Sequence, residues 1–311
     1  MYKYDDKTKT LTVTKYNDLW YYSFLEEKKD FIQKIVINDT EHIEPYDLCN
    51  VLSQTDYNTV ENIEICADNP QYESIDGVVY IKPLRWTIFC PKGKTGSVHI
   101  ADGTEKIRIS AFRKCKISSV YLPDSVKIIG EGAFTFCSLL KEVCGGKNVK
   151  IIEYCAFRGC VSLESFCFSN ILQEIGDQAF EGTKLKQVSF CDKLEKIGAE
   201  AFYGCDIKSV TLPESIKEIG TSALLHVAEI HAKTYDNIIL AACTCSRAAD
   251  IDDALTFTMI YIANCTPIAI PKCILETEKL LLNSDIQRNI HTEKKTALQN
   301  RFRLVKNSRS I

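Results

Sequence analysis

The stretch that decides the fold is ISSVYLPDSVKIIGEGAFTFC, residues 117–137. Apolar side chains at Ile117, Val120 and Leu122 predict a short strand with one inward face. Pro123 follows at once, and proline belongs at a strand end because it cannot donate a ladder hydrogen bond. A unit of this length cannot bury its own apolar residues, so it needs copies of itself on either side.

Such copies are present, and they are marked by an Ala-Phe pair that recurs every 22 or 23 residues. The pairs begin at Ala111, Ala133, Ala156, Ala179 and Ala201, and Ala223-Leu224 is a degenerate sixth copy. A glycine follows the preceding isoleucine in four copies, where we expect it to permit a tight backbone turn. Loose strand motifs begin at Ile117, Leu140, Leu163, Leu185, Ile207 and Val227. The fixed period predicts a solenoid in which equivalent residues of successive coils form continuous inner ladders.

These motifs resemble the BspA-like class of leucine-rich repeats, whose unit reads approximately L-x-x-I-x-L-P-x-S-V-x-x-I-G-x-x-A-F-x-x-C. Residues 117–137 and 207–224 follow that unit closely. The resemblance implies an α/β leucine-rich-repeat solenoid, with short parallel strands on the concave face and turns and short helical segments on the return. It also implies a repeat enlarged by a β-hairpin at 69–112. It further implies a bacterial, protein-binding repeat protein, with cell-surface or secreted relatives.

The ends of the chain depart from the period. A solenoid exposes an apolar cross-section at each end and needs caps. We therefore assign residues 1–33 to an N-terminal cap of a strand plus a helix, and residues 34–232 to the repeats. Residues 233–311 are predicted to form a small α+β cap or accessory segment, with a hairpin and basic helices.

Composition and motifs give no sign of catalysis. The formal net charge is −3, the N-terminus lacks an apolar signal-peptide core, and no apolar run is long enough to span a membrane. The chain as given is therefore expected to be cytoplasmic. Its 15 cysteines cannot all pair within one chain, so we expect reduced, mostly buried thiols. No catalytic motif, metal-ligand spacing or cofactor signature occurs, so the sequence predicts a non-enzymatic protein without metal or cofactor.

The candidate binding surface is the solvent-facing side of the predicted concave sheet. It consists of the residues that flank the inward Val, Phe or Ile of each strand motif. They are Ser119, Tyr121, Glu142, Cys144, Ser165, Cys167, Gln187, Ser189, Ser209, Thr211, Glu229 and His231. Repeat proteins generally bind on such an array, so we expect a protein partner there. Cys144 and Cys167 are expected to be thiols on neighbouring strands that are accessible to oxidation.

Two alternatives remain open at the C-terminal end. From residue 279 onward, eight Lys or Arg residues stand against two acids. Such a basic tail attaches some proteins to nucleic acid or to anionic membranes, although no nucleic-acid partner is expected here. An unrecognised activity in 233–311 is the other alternative. Heparin retention that is lost on deleting 279–311 would favour attachment through the tail.

Overall fold

The computed structural model describes residues 2–19, 30–54, 58–225, 227 and 229–232. Within them the chain forms a solenoid of mostly parallel strands, so the predicted fold class is confirmed. Predictions for residues 233–311 lie outside the described residues, and so does most of the helix expected in the N-terminal cap.

The N-terminal part begins with strands β1 (Tyr2–Asp5) and β2 (Thr10–Val13), followed by a 3-10 turn at Tyr16–Leu19. Strand β1 runs antiparallel to β2, whereas β2 lies parallel to β3 (Lys34–Ile37), which pairs in turn with β4 (Asn62–Ile65). Strand β2 therefore already follows the direction of the coils. The antiparallel β1 covers the edge of β2 that lies away from β3.

Helix α1 (Pro45–Gln54) lies between β3 and β4. Proline suits its first position because the amide there has no partner within a helix. Leu48, Val51 and Leu52 are buried on one helix face and join the N-terminal core.

An antiparallel meander then enlarges one coil: β5 (Tyr72–Ile75), β6 (Val78–Ile81) and β7 (Trp86–Phe89). Tyr72 lies on β5, the end strand of this sheet, and its side chain is fully buried. Its hydroxyl donates to the carbonyl of Ile43 at 2.7 Å. That hydrogen bond ties the meander to the segment before α1.

The strands of the repeat region fall mostly into two sets, and those of one set have only two residues each. In chain order they are β8 (Thr95–His99), β9 (Lys106–Ile107), β10 (Lys116–Leu122), β11 (Ile128–Ile129), β12 (Glu142–Gly145), β13 (Ile151–Ile152), β14 (Ser165–Phe166), β15 (Glu174–Ile175), β16 (Lys196–Ile197), β17 (Ser209–Leu212), β18 (Glu218–Ile219) and β19 (Glu229–Ala232). Strands β8, β10, β12 and β14 form one parallel sheet, here called the long-strand sheet. Strands β9, β11, β13, β15, β16 and β18 form the parallel part of a second, short-strand sheet, which β7 joins to the meander. The return segments therefore hold turns and two-residue strands where short helices were expected.

The phenylalanines of the Ala-Phe pairs form a continuous column inside the coils. Successive rings from Phe112 to Phe202 stack with centroids 4.8, 5.0, 5.2 and 5.3 Å apart, and each ring is fully buried. Their backbones pair as well. Each phenylalanine amide donates to the alanine carbonyl of the next coil, as from Phe134 to Ala156 at 2.7 Å. The predicted ladder is therefore held by ring stacking and by a hydrogen bond in every coil.

The glycine that follows the isoleucine in four copies serves close packing between coils, and the tight turn expected of it does not use a positive φ. Gly130, Gly176, Gly198 and Gly220 do not have positive φ. A Cβ at Gly198 would instead lie 2.3 Å from the amide nitrogen of Asp177 in the preceding coil. The left-handed residue is the one just before each alanine, with φ between 54° and 57°: Ser110, Gly132, Cys155, Gln178, Glu200 and Ser222. Most of these carry side chains, so the turn could not be located by searching for glycine.

Candidate functional site

The long-strand sheet is interrupted in the middle of the repeats. Strand β14 ends it, and the coil that follows, residues 185–190, forms no strand although its Leu185-x-x-Val188-x-Phe190 motif predicts one. The amide of Lys184 still donates to the carbonyl of Leu163 at 2.9 Å. Beyond that bond, and within the described residues, no backbone hydrogen bond joins 185–190 to 163–168 or to 207–212. The predicted strand at this coil is therefore wrong, and the sheet is open here.

Three phenylalanines explain the opening. The inward positions of β10 and β12 hold Val120, Leu122 and Val143. The equivalent positions hold Phe166 and Phe168 in the first coil at the opening, and Val188 and Phe190 in the second.

These extra rings must pack against the inner phenylalanine column. Phe168 lies 5.4 Å from Phe180, and Phe190 lies 5.8 Å from Phe202, as measured between ring centroids. The space that holds Val or Leu in the other coils is too small for a phenylalanine ring beside the inner column, so the backbone must move to admit one. The two coils therefore separate, and the three added rings stay only half-buried.

The separation creates an open cleft of about 790 Å³ beside Phe166, Phe168 and Phe190. Its wall combines these rings with short polar side chains, and Glu164, Lys186 and Lys208 supply charges of both signs. A second opening of about 210 Å³ lies on the far side of the same coil, between Ser189 and Thr211. The coil 185–190 thus has space on both sides and an unpaired backbone between them.

Several sequence-predicted site residues line this cleft. Ser165, Gln187, Ser189 and Ser209 are exposed there, and Thr211 lines the smaller opening. Cys144 and Glu142 are half-buried on β12, and Cys167 is exposed beside the cleft wall. The side chain of Glu229 lies outside the described residues, whereas His231 is exposed on β19.

The expectation that Ser119 faces solvent is wrong. Its side chain is 5% exposed, and its hydroxyl is hydrogen-bonded to that of Ser97 at 2.6 Å. The β8–β10 pairing shifts register between Ile117 and Ser119, and this irregularity places Ser119 directly against Ser97. Tyr121 is exposed as expected and stacks on His99 with centroids 4.4 Å apart.

The cysteines of the Ala-Phe side are inner, structural groups. The thiols of Cys115, Cys137, Cys160 and Cys205 donate to backbone carbonyls of the preceding coil, as from Cys160 to Phe134 at 3.0 Å. Burial raises the pKa of Cys205 to about 11, and it raises the pKa of Cys115 and Cys160 as well. These thiols stay protonated near neutrality and serve as small ladder residues.

Among the described residues, no group of three or more His, Cys, Asp or Glu side chains is arranged to hold a metal ion. No helix in the described ranges has the length and apolar character needed to cross a membrane. The residues that line the cleft offer aromatic contact, hydrogen bonding and charges of both signs.

Sequence reasoning missed the three phenylalanines as surface groups. They occupy apolar positions of the motif, so they were expected to be buried. The signal that could have found them is their size: Phe stands where the other coils carry Val, Leu or Gly, in two consecutive coils. A side chain larger than its counterparts in the other coils predicts that neighbouring coils are pushed apart at that position.

Parallel strands repeated every 22 or 23 residues, with inner ladders of Ile, Phe and Cys, define a leucine-rich-repeat solenoid. The match to a protein family agrees with this class. Residues 105–231 match, in six copies, the family described as BspA type leucine rich repeat region. A search of curated protein sequences gives no match.

Similar solved structures are bacterial leucine-rich-repeat proteins. The T. pallidum leucine rich repeat protein TpLRR is 26% identical, with a TM-score of 0.42, covering 55% of this chain and 83% of its own. A leucine rich cell surface protein from Faecalibacterium prausnitzii A2-165 is 22% identical, with a TM-score of 0.42 and coverages of 66% and 52%. The pneumococcal vaccine antigen PcpA is 18% identical, with a TM-score of 0.43 and coverages of 57% and 51%. The chain thus spans about half the length of the last two.

Proposed function

We propose that this chain is a non-enzymatic binding protein whose cleft at residues 164–191 takes an extended segment of a protein partner. The observation that carries the proposal is the opening in the long-strand sheet, where half-buried aromatic rings meet an unpaired backbone. Aromatic side chains are enriched at binding hot spots, and an open sheet edge is a template for another strand.

The unpaired backbone favours an extended peptide over a helix or a small molecule. Added strands obtain affinity from main-chain hydrogen bonds and specificity from alternate side chains that enter pockets. Here the edge of β14 supplies the main-chain groups, and Phe168 and Phe190 supply an apolar wall. The chemistry fits a segment with alternating apolar side chains, because every second residue would face the rings.

The test uses a phage-displayed library of random peptides selected on the full chain. We compare binding of the enriched peptides to wild type and to Gln187→Arg, which places a long cation in the cleft. Gln173→Arg is the matched control, because Gln173 is also exposed but lies before β15 on the short-strand side. We expect Gln187→Arg to weaken binding by about tenfold or more and Gln173→Arg to leave it unchanged.

A second measurement tests the main-chain contribution. Peptides N-methylated at every second residue lose alternate amide donors while keeping their side chains. We expect one of the two alternation registers to abolish binding and the other to be tolerated, since an added strand pairs through every second residue. Equal binding by Gln187→Arg and wild type, or no enriched peptide at all, would contradict the proposal.

A further inference from the structure

A pair of cysteines lies side by side on the face of the long-strand sheet. Strands β12 and β14 are parallel, with Glu142 opposite Ser165 and Val143 opposite Phe166. The amide of Cys167 continues the ladder by donating to the carbonyl of Val143 at 3.0 Å. The next pair in this register is Cys144 and Cys167.

These two thiols differ from the inner cysteine ladder in accessibility. Cys167 is exposed and Cys144 is half-buried, whereas Cys137 and Cys160 are fully buried and bonded to backbone carbonyls. The pKa of the Cys144 thiol is raised, first by its partial burial and then by the neighbouring Cys167 thiol. The two sulfur atoms are therefore close enough to interact, and reagents in solvent reach Cys167 directly.

We propose that Cys144 and Cys167 form an oxidisable dithiol site, which closes to a disulfide between adjacent coils. The proposal does not depend on peptide binding at the cleft. Neighbouring strands lie about 4.8 Å apart, and disulfides span Cα separations of about 4.4–6.8 Å, so the linkage needs no rearrangement of the coils. Cβ atoms across a disulfide are closer than strand spacing, at about 3.8 Å, so the bond carries some strain and is readily reduced.

The reaction takes a small disulfide, R–S–S–R, as its oxidant. The exposed Cys167 thiolate attacks one sulfur, forms a mixed disulfide and releases R–S⁻. The Cys144 thiolate then attacks the sulfur of Cys167 and displaces the second R–S⁻. Two protein thiols are oxidised by two electrons, the small disulfide is reduced to two thiols, and the two protons from the protein thiols balance the two thiolates released.

The experiment treats the full, reduced chain with glutathione disulfide, blocks the remaining thiols with a maleimide and digests with trypsin. Cleavage after Lys141, Lys147, Arg158 and Lys184 places the cysteines on peptides 142–147 and 159–184. We expect these peptides to appear disulfide-linked, with the loss of two alkylatable thiols, and dithiothreitol to separate them.

Cysteine variants show which two sulfur atoms form the disulfide. Peptide 159–184 also carries Cys160, so Cys167→Ser must abolish the link and Cys160→Thr must preserve it. Threonine fits that place because Thr183 occupies it in the next coil and is buried there. In Cys144→Ser we expect Cys167 to keep a single glutathione, since no resolving thiol is left.

Wild-type protein that carries separate glutathione groups on Cys144 and Cys167 would overturn the proposal, as would failure of either cysteine to react. A link that survives in Cys167→Ser, or one that forms only after the far-ultraviolet circular dichroism of the fold is lost, would overturn it equally. The dithiothreitol-treated sample reports the reduced state in each case.

Discussion

The two sides of the coils differ in how they tolerate variation. On the Ala-Phe side, the backbone bond from phenylalanine to alanine and the ring stack continue unbroken from Phe112 to Phe202. On the other side the long-strand sheet stops at β14, and the coil 185–190 stands apart. Both sides carry the same repeat period. The difference therefore lies in the volume of the inward side chains, because the long-strand sheet stops where its own coils add rings to the inner column, while the Ala-Phe side continues through the same layers.

The largest effect is expected from truncating the inner column. Phe157→Ala should lower the free energy of unfolding by about 3–5 kcal/mol, because it removes a fully buried ring stacked on both sides. Phe168→Ala, at the cleft wall, should cost only about 1–2 kcal/mol because its ring is half-buried. Urea unfolding of the two variants measures the contrast. Equal costs would mean that the two sides are packed alike.

An intermediate effect is expected from alkaline pH, and it should come from the Ala-Phe side. A thiol whose pKa rises from 9.0 to about 11 on folding, as for Cys205, contributes stability that is complete below pH 9.0 and is lost as the pH rises towards 11. Each such thiol should lower the free energy of unfolding by about 1.4 kcal/mol per pH unit in that window.

Urea unfolding at pH 8, 9.5 and 10.5 measures this slope. Cys205→Thr removes one titrating group, keeps a hydroxyl at the site and should make the slope shallower. Ser165→Ala is the control on the long-strand side, and it should leave the slope unchanged because it removes no titrating group from an exposed position. A slope that Ser165→Ala alters as much as Cys205→Thr does would place the effect elsewhere.

The smallest effect on stability, and the sharpest test of the comparison, comes from restoring the sheet. The triple variant Phe166→Val, Phe168→Leu and Phe190→Leu gives these coils the residue types found in β10. We expect residues 187–189 to pair with their neighbours, so that their amides gain protection from hydrogen exchange by about tenfold or more. The same variant should lose the peptides selected on the cleft. Unchanged exchange would show that bulk does not cause the opening.

Much of the fold could be predicted from the sequence because the period is strict and the inner residues are chemically plain. The Ala-Phe pairs located the buried column, since these positions admit few residue types, whereas the two-residue strands of the return segments were not predicted. The role of Gly198 could not be read in the same way. Glycine is required at position 198 because the backbone of the preceding coil leaves no room for a Cβ atom, and the sequence of a single repeat does not reveal that contact.

The candidate site was predicted only in part. Alternation placed Gln187 and Ser189 on the outer face, where they are exposed. It failed for Ser119, because a register shift between neighbouring coils is a property of the pair and not of either strand. The motif also treated Phe, Val and Leu as equivalent, although side-chain volume decides whether two coils stay hydrogen-bonded. A pattern that separates only apolar from polar residues therefore predicts the repeating coils but not the interruption of the long-strand sheet.

The short-strand sheet runs without a break past the opening, through β13, β15, β16 and β18. Coils on either side of residues 185–190 are thus attached firmly along one side and loosely along the other. With hydrogen bonds on one side only, we expect this layer of the described coils to bend more easily than its neighbours, and such bending would change the width of the space beside Phe190.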